Sequence, residues 1–105
     1  MSDVEDIVIV SRHQAAIQFV KEHLAARGVD ADKVPVIAQA TDADVRGRDV
    51  YGNLPMHLAA VAWTVWVIEF DVPPRGLEYT IEDMHKAGAR LRSYTVRRDT
   101  EGGEA

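Results

Sequence analysis

Side chains able to do chemistry gather in three short stretches: Ser11-Arg12-His13, Gly52-Asn53-Leu54-Pro55-Met56-His57 and Asp71-Val72-Pro73-Pro74-Arg75-Gly76. Arg12 and Arg75 are charge-assisted donors of the kind that hold phosphate oxygens. Histidine changes charge near neutrality, so His13 is a candidate for proton transfer. Gly52 lets a ligand approach the backbone closely. Each residue also has a structural reading. Ser11 serves equally well as a helix cap, His13 as an exposed and idle histidine, Asn53-Leu54-Pro55 as a helix start and Arg75-Gly76 as a turn. His57 would be a polar group on an apolar helix, facing either a cleft or a neighbour. Their shared position at strand ends gives the stretches weight together.

The elements that must position them follow from periodicity. Ile7-Val8-Ile9-Val10 is a continuous run of β-branched residues, expected of a strand buried on both faces. Gln14 to Arg27 turns helical, with Ile17, Val20 and Leu24 on one stripe and Gly28 as the stop. Val34 to Ala40 reads as a second strand, pushed to an edge or a strand start by Pro35. Thr41 to Asp49 reads as a loop and Asp49 to Gly52 as a brief strand. Asn53 would cap a helix over Leu54 to Trp63 with Pro55 in its first turn. Thr64 to Phe70 is the clearest strand. Thr80 and Asp83 form an acidic capping box for a short helix to Ala87, stopped by Gly88. Ala89 to Arg97 is the last strand. The order β-α-β-β-α-β-α-β predicts one α/β domain with a mostly parallel open sheet flanked by helices. Right-handed crossovers then bring the parallel strands' C-terminal ends to one edge, where such sheets bind ligands. Helix N-termini at Gln14 and Leu54 would add N–H donors suited to phosphate.

Composition sets the outer limits. A chain of 105 residues suits one small domain whose core is marginal, which makes a partner subunit plausible. No run approaches the ~18 apolar residues of a membrane span. The acidic start, Met1 to Asp6, is unlike a signal peptide. No cysteine is present, which excludes disulfides, thiolate zinc sites and a cysteine nucleophile; a cytoplasmic location is expected. The net charge of −5 argues against long nucleic acid as partner. It is concentrated at the ends: residues 1–6 and 99–105 read as acidic tails, leaving residues 7–98 as the domain with a formal charge of +1. Nine of the twelve basic residues are arginine, which suits phosphate contacts and surface ion pairs alike. Trp63, Trp66 and Phe70 read as core or subunit interface before stacking platforms. The histidines at 13, 23, 57 and 85 lack compact metal spacing, so neither metal nor cofactor is expected. There is no P-loop, dinucleotide fingerprint or nucleophile elbow.

Three ordered segments carry a family resemblance: Val10 to Ile17, Asp49 to Ala60, and Asp71 to Glu78 with Met84, Gly88-Ala89 and Leu91. Together they resemble the Csx-sixteen family, small stand-alone CRISPR-associated proteins of type III systems, over residues 7 to about 96. Gln14 and Ala15 stand where that family has proline and glycine, and Asn53 stands where it commonly has threonine. The resemblance implies a Rossmann-like, CARF-like fold and the binding of cyclic oligoadenylate, chiefly cyclic tetra-adenylate. It further implies ring-nuclease cleavage without a metal, by attack of a ribose 2′-hydroxyl on its own adjacent phosphate.

On that reading Arg12 contacts the scissile phosphate and His13 moves a proton to the leaving 5′-oxygen. Ser11, Gly52, Asn53, Leu54, Pro55, His57, Asp71, Arg75 and Gly76 line the ligand. A two-fold homodimer would hold the ring on its axis. A messenger-binding sponge and a structural module without a nucleotide ligand are the competing classes.

Overall fold

The computed structural model describes residues 4–72 and 79–99. The chain runs β1 (Ile7–Val10), α1 (Gln14–Ala26), β2 (Val36–Ile37), α2 (Asp42–Val45), β3 (Asp49–Tyr51), α3 (Met56–Ala59), β4 (Thr64–Glu69), α4 (Ile81–Lys86) and β5 (Arg90–Tyr94). Among the described residues five strands form one sheet in the order β2-β1-β3-β4-β5. The first four lie parallel and β5 closes the edge antiparallel to β4. This is the expected mostly parallel, open, Rossmann-like architecture.

All four residues of β1 are buried, because layers cover both faces of the sheet there. Ile7 and Ile9 pack beneath α1 with Val20, Leu24 and Tyr51. Val8 and Val10 pack on the opposite face against Val45, Val50 and Leu58, carried by α2, β3 and α3. Val4, in a 3-10 turn before β1, also packs on the α1 layer. A third cluster joins Met84 of α4 to Ala15 and Phe19 of α1. Thr80 caps α4 as expected: its hydroxyl accepts from the Asp83 N–H at 3.1 Å, and the Asp83 carboxylate accepts from the Thr80 N–H at 2.9 Å.

Four sequence expectations are corrected. Thr41 to Asp49 contains a helical turn, α2, as well as loop. Asp44 accepts from both the N–H and the hydroxyl of Thr41, at 2.8 and 3.0 Å, and Val45 anchors the turn with no exposed surface. The helix expected over Leu54 to Trp63 shrinks to Met56–Ala59 with Pro55 as its N-cap, so Asn53 does not cap it. Long-range bonds end it: the Gly47 N–H donates to the Val61 carbonyl at 2.9 Å, and the Trp63 N–H to the Arg48 carbonyl at 2.8 Å. Those bonds commit residues 61–63 to the start of β3–β4 pairing. The second strand is only two residues long, at the sheet edge that Pro35 favours. The last strand stops at Tyr94 instead of Arg97.

Candidate functional site

Strand order reverses between β1 and β3. The chain leaves β1 for α1 on one face and leaves β3 for α3 on the other, so the two turns diverge and leave a crevice. Open α/β sheets place their ligands at such switch points. A cavity of about 410 Å³ opens there, within the range of ligand sites. Ser11, Arg12 and His13 line it from the first turn, and Gly52 and Asn53 from the second. Two of the three predicted stretches therefore meet.

Local hydrogen bonds fix the first turn. The Ser11 N–H donates to the Ile37 carbonyl at 3.0 Å, continuing the β1–β2 ladder. The Ser11 hydroxyl oxygen accepts from the His13 N–H at 3.1 Å, holding the approach to α1. His13 itself is the N-cap, in extended conformation and without a side-chain capping bond. The first N–H groups of α1 thus remain available beside the cavity. Arg12 is exposed, and its Nη2 donates to Gln39 Oε1 at 3.3 Å. That contact uses one guanidinium donor, and the others meet no acceptor among the described residues.

Gly52 has a steric reason to be glycine. Its φ is +151°, and a β-carbon there would fall on the Val10 carbonyl oxygen. Only a bare α-carbon lets the turn after β3 lie against the end of β1. The Gly52 N–H donates to the Trp66 carbonyl at 2.9 Å, so it is spent within the sheet. The N–H groups of Asn53, Leu54 and Met56 donate to no described residue.

Aromatic rings make the floor and far wall. Tyr51 and Trp66 are register partners on β3 and β4, and their rings stack with centroids 5.4 Å apart and planes 7° apart. His23 lies against both, at 6.1 and 5.9 Å, and the Arg27 guanidinium sits 5.9 Å over the indole. Burial, and then the charge of Arg27, hold the His23 pKa below its ordinary value. Burial pushes the Tyr51 phenol up. On the wall, Tyr79 stacks on His13 and meets Phe70 edge-on. Both His13 ring nitrogens are enclosed, with no hydrogen-bond partner among the described residues.

A family model described as "Putative CRISPR-associated protein (Cas_VVA1548)" matches residues 8–97. The chain belongs to this CRISPR-associated family. The match takes in the crevice and nearly all of the described domain. No curated protein and no solved structure matches the chain.

Other predicted residues of this CRISPR-associated chain fall elsewhere. His57 is exposed and outside the cavity lining. Leu54 packs on the α2–α3 layer, and Pro55 caps α3. Asp71 does not line the cavity: its carboxylate accepts from Arg90 at 2.8 Å, and its N–H donates to the Ala87 carbonyl at 3.0 Å. It fastens the end of β4 to the α4–β5 turn. Arg75 and Gly76 lie outside the described residues. Sequence reasoning missed Gln39, Tyr51 and Tyr79, and assigned Trp66 and Phe70 to core or interface. Tyr51 carried one usable signal, its place immediately before the Gly52 turn. Among the described residues no group of three histidines or carboxylates is placed to share a metal, and no helix is long and apolar enough to cross a membrane.

Proposed function

We propose that this chain is a Csx-sixteen-type ring nuclease of type III CRISPR defence, which binds cyclic tetra-adenylate in the β1/β3 crevice and cleaves it without a metal. The supporting observation is the crevice of this CRISPR-associated domain, which joins Arg12, the α1 N-terminus, His13 and Asn53 to an aromatic floor. That mixture suits nucleotides: donors for phosphate, an amide for a ribose or base edge, and flat rings near bases.

In the proposed reaction a ribose 2′-oxygen attacks its own adjacent phosphorus. The new 2′-O–P bond forms as the P–O5′ bond breaks. The product carries a 2′,3′-cyclic phosphate and a 5′-hydroxyl. Arg12 and the α1 N–H groups stabilise the charge gathering on the phosphate. His13 supplies the proton taken up by the leaving 5′-oxygen, while the 2′-hydroxyl proton goes to solvent. One cavity of about 410 Å³ suits part of a tetranucleotide ring. A two-fold homodimer would present two crevices to opposite halves and release dinucleotides. The cytoplasm is the place of action on this reading.

A second reading, a binding-only sponge, draws support from the enclosed His13 nitrogens, which meet neither solvent nor a hydrogen-bond partner among the described residues. Incubation with cyclic tetra-adenylate in EDTA, followed by chromatography, separates the two. Linear products ending in a cyclic phosphate support the nuclease. Intact ligand that co-migrates with the protein supports the sponge, and absence of binding refutes both.

A further inference from the structure

Proton transfer by His13 needs a ring nitrogen to reach the ligand, yet Nδ1 and Nε2 are both enclosed and have no hydrogen-bond partner among the described residues. Desolvating a polar atom without giving it a hydrogen bond is costly, so such an arrangement calls for an explanation. One face of the imidazole lies on Tyr79, with centroids 4.2 Å apart and planes 26° apart. Phe70 braces Tyr79 edge-on at 6.2 Å, and all three rings border the cavity. The His13 backbone is held on both sides. Its N–H donates to Ser11 Oγ, and its carbonyl accepts from the Ile17 N–H at 3.0 Å. Freeing the imidazole therefore requires side-chain rotation, and one face of the ring is stacked on Tyr79.

We propose that Tyr79 is a positioning residue for His13: its ring covers one face of the imidazole and gives way to a flat heteroaromatic base of the ligand, which releases His13 into the cavity. A purine offers the same kind of π face that the phenol presents. The covering of His13 stands on the geometry alone; its exchange for a base rests on the nucleotide reading above.

Diethyl pyrocarbonate tests the cover without any nucleotide. It adds an ethoxycarbonyl group to a neutral imidazole nitrogen, with loss of carbon dioxide and ethanol. Peptide mass spectrometry then reads every histidine in one sample. Exposed His57 is the fast reference, and His23, whose Nε2 is enclosed, reports loss of packing. If the covered form dominates about tenfold, His13 reacts about tenfold more slowly than His57 in the wild type. Tyr79→Phe keeps the ring and the slow rate. Tyr79→Ala brings His13 close to His57 while His23 stays slow. Tyr79→Leu, which fills volume without an aromatic face, serves if His23 speeds up in the alanine variant. A wild-type His13 as reactive as His57, or a slow His13 after both substitutions, overturns the cover.

Calorimetry with cyclic tetra-adenylate tests the exchange. Removing the cover raises apparent affinity by about tenfold, the inverse of the open fraction. Weaker binding by Tyr79→Ala would make Tyr79 a platform for the base and overturn the proposal. Failure of the wild type and every variant to bind would refute the nucleotide reading and the exchange, while the carbethoxylation rates still decide the cover.

Discussion

Gly52→Ala should be among the most damaging single-methyl changes in this chain. At φ +151° an alanine sits in backbone space that side chains rarely adopt, costing about 1–3 kcal/mol. Its β-carbon would also meet the Val10 carbonyl oxygen, which belongs to backbone and cannot rotate away. Val10 is fixed by pairing with Ile37 and by burial, so β1 does not yield. Relief must come from moving the end of β3 away, which strains the bond from the Gly52 N–H to the Trp66 carbonyl. Losing such a bond adds about 1–3 kcal/mol. A total of about 2–6 kcal/mol corresponds to a fall in Tm of roughly 9–27 °C for a domain of this size. Thermal unfolding followed by circular dichroism measures it. Gly47→Ala is the control: φ is positive there too, at +70°, but nothing lies within 4 Å of the added carbon. It should lose about 1–2 kcal/mol from backbone strain alone. A Gly52→Ala loss no larger than that of Gly47→Ala would refute the steric argument, and with it the claim that glycine is what lets the two crevice turns meet.

Met84→Ala removes a fully buried side chain that joins α4 to α1 and should cost about 2–5 kcal/mol in urea unfolding; a loss below about 1 kcal/mol would mean α4 docks by other contacts. His23 has its pKa depressed in the folded chain, so between that value and the ordinary 6.5 the unfolded chain binds more protons. Stability should therefore fall as pH drops below about 6.5 and level off once the folded histidine is also protonated; His23→Gln should flatten that part of the stability–pH curve, and an unchanged curve would refute the assignment. Arg12 is exposed, so Arg12→Ala should leave Tm nearly unchanged while sharply lowering the single-turnover cleavage rate; an unchanged rate would remove Arg12 from the proposed mechanism. Cyclic tetra-adenylate should bind more weakly as salt rises if arginine and helix-end donors hold its phosphates. Affinity measured by calorimetry that stays constant between low and moderate salt would shift the weight to stacking.

The sequence by itself determined the features that depend on neighbours along the chain. The β-branched run Ile7–Val10 could only be satisfied by burial on both faces, and that implied a central parallel strand. The Thr80–Asp83 box closes within one turn, so its residues suffice to start α4. The same logic makes Thr41–Asp44 legible in retrospect; the polar surroundings concealed it because α2 needs only Val45 as an anchor. The first two chemistry-bearing stretches could be assigned to one sheet edge because strand alternation fixes on which side each turn emerges.

Tertiary structure decided the rest. The length of α3 was set by bonds from Gly47 and Arg48 to residues 61–63, partners that no local propensity of Leu54 to Trp63 encodes. Asp71 looked like a ligand group, and its position relative to Arg90 made it a fastener instead. Above all, the aromatic character of the crevice was hidden. Tyr51, Trp66 and Tyr79 belong to separate elements, and their apolar surface reads the same whether it fills a core or lines a cavity. The difference lies in where α1 stops covering the sheet and in the register that sets Tyr51 beside Trp66. Both are products of packing between elements, a cooperative balance that no single segment carries.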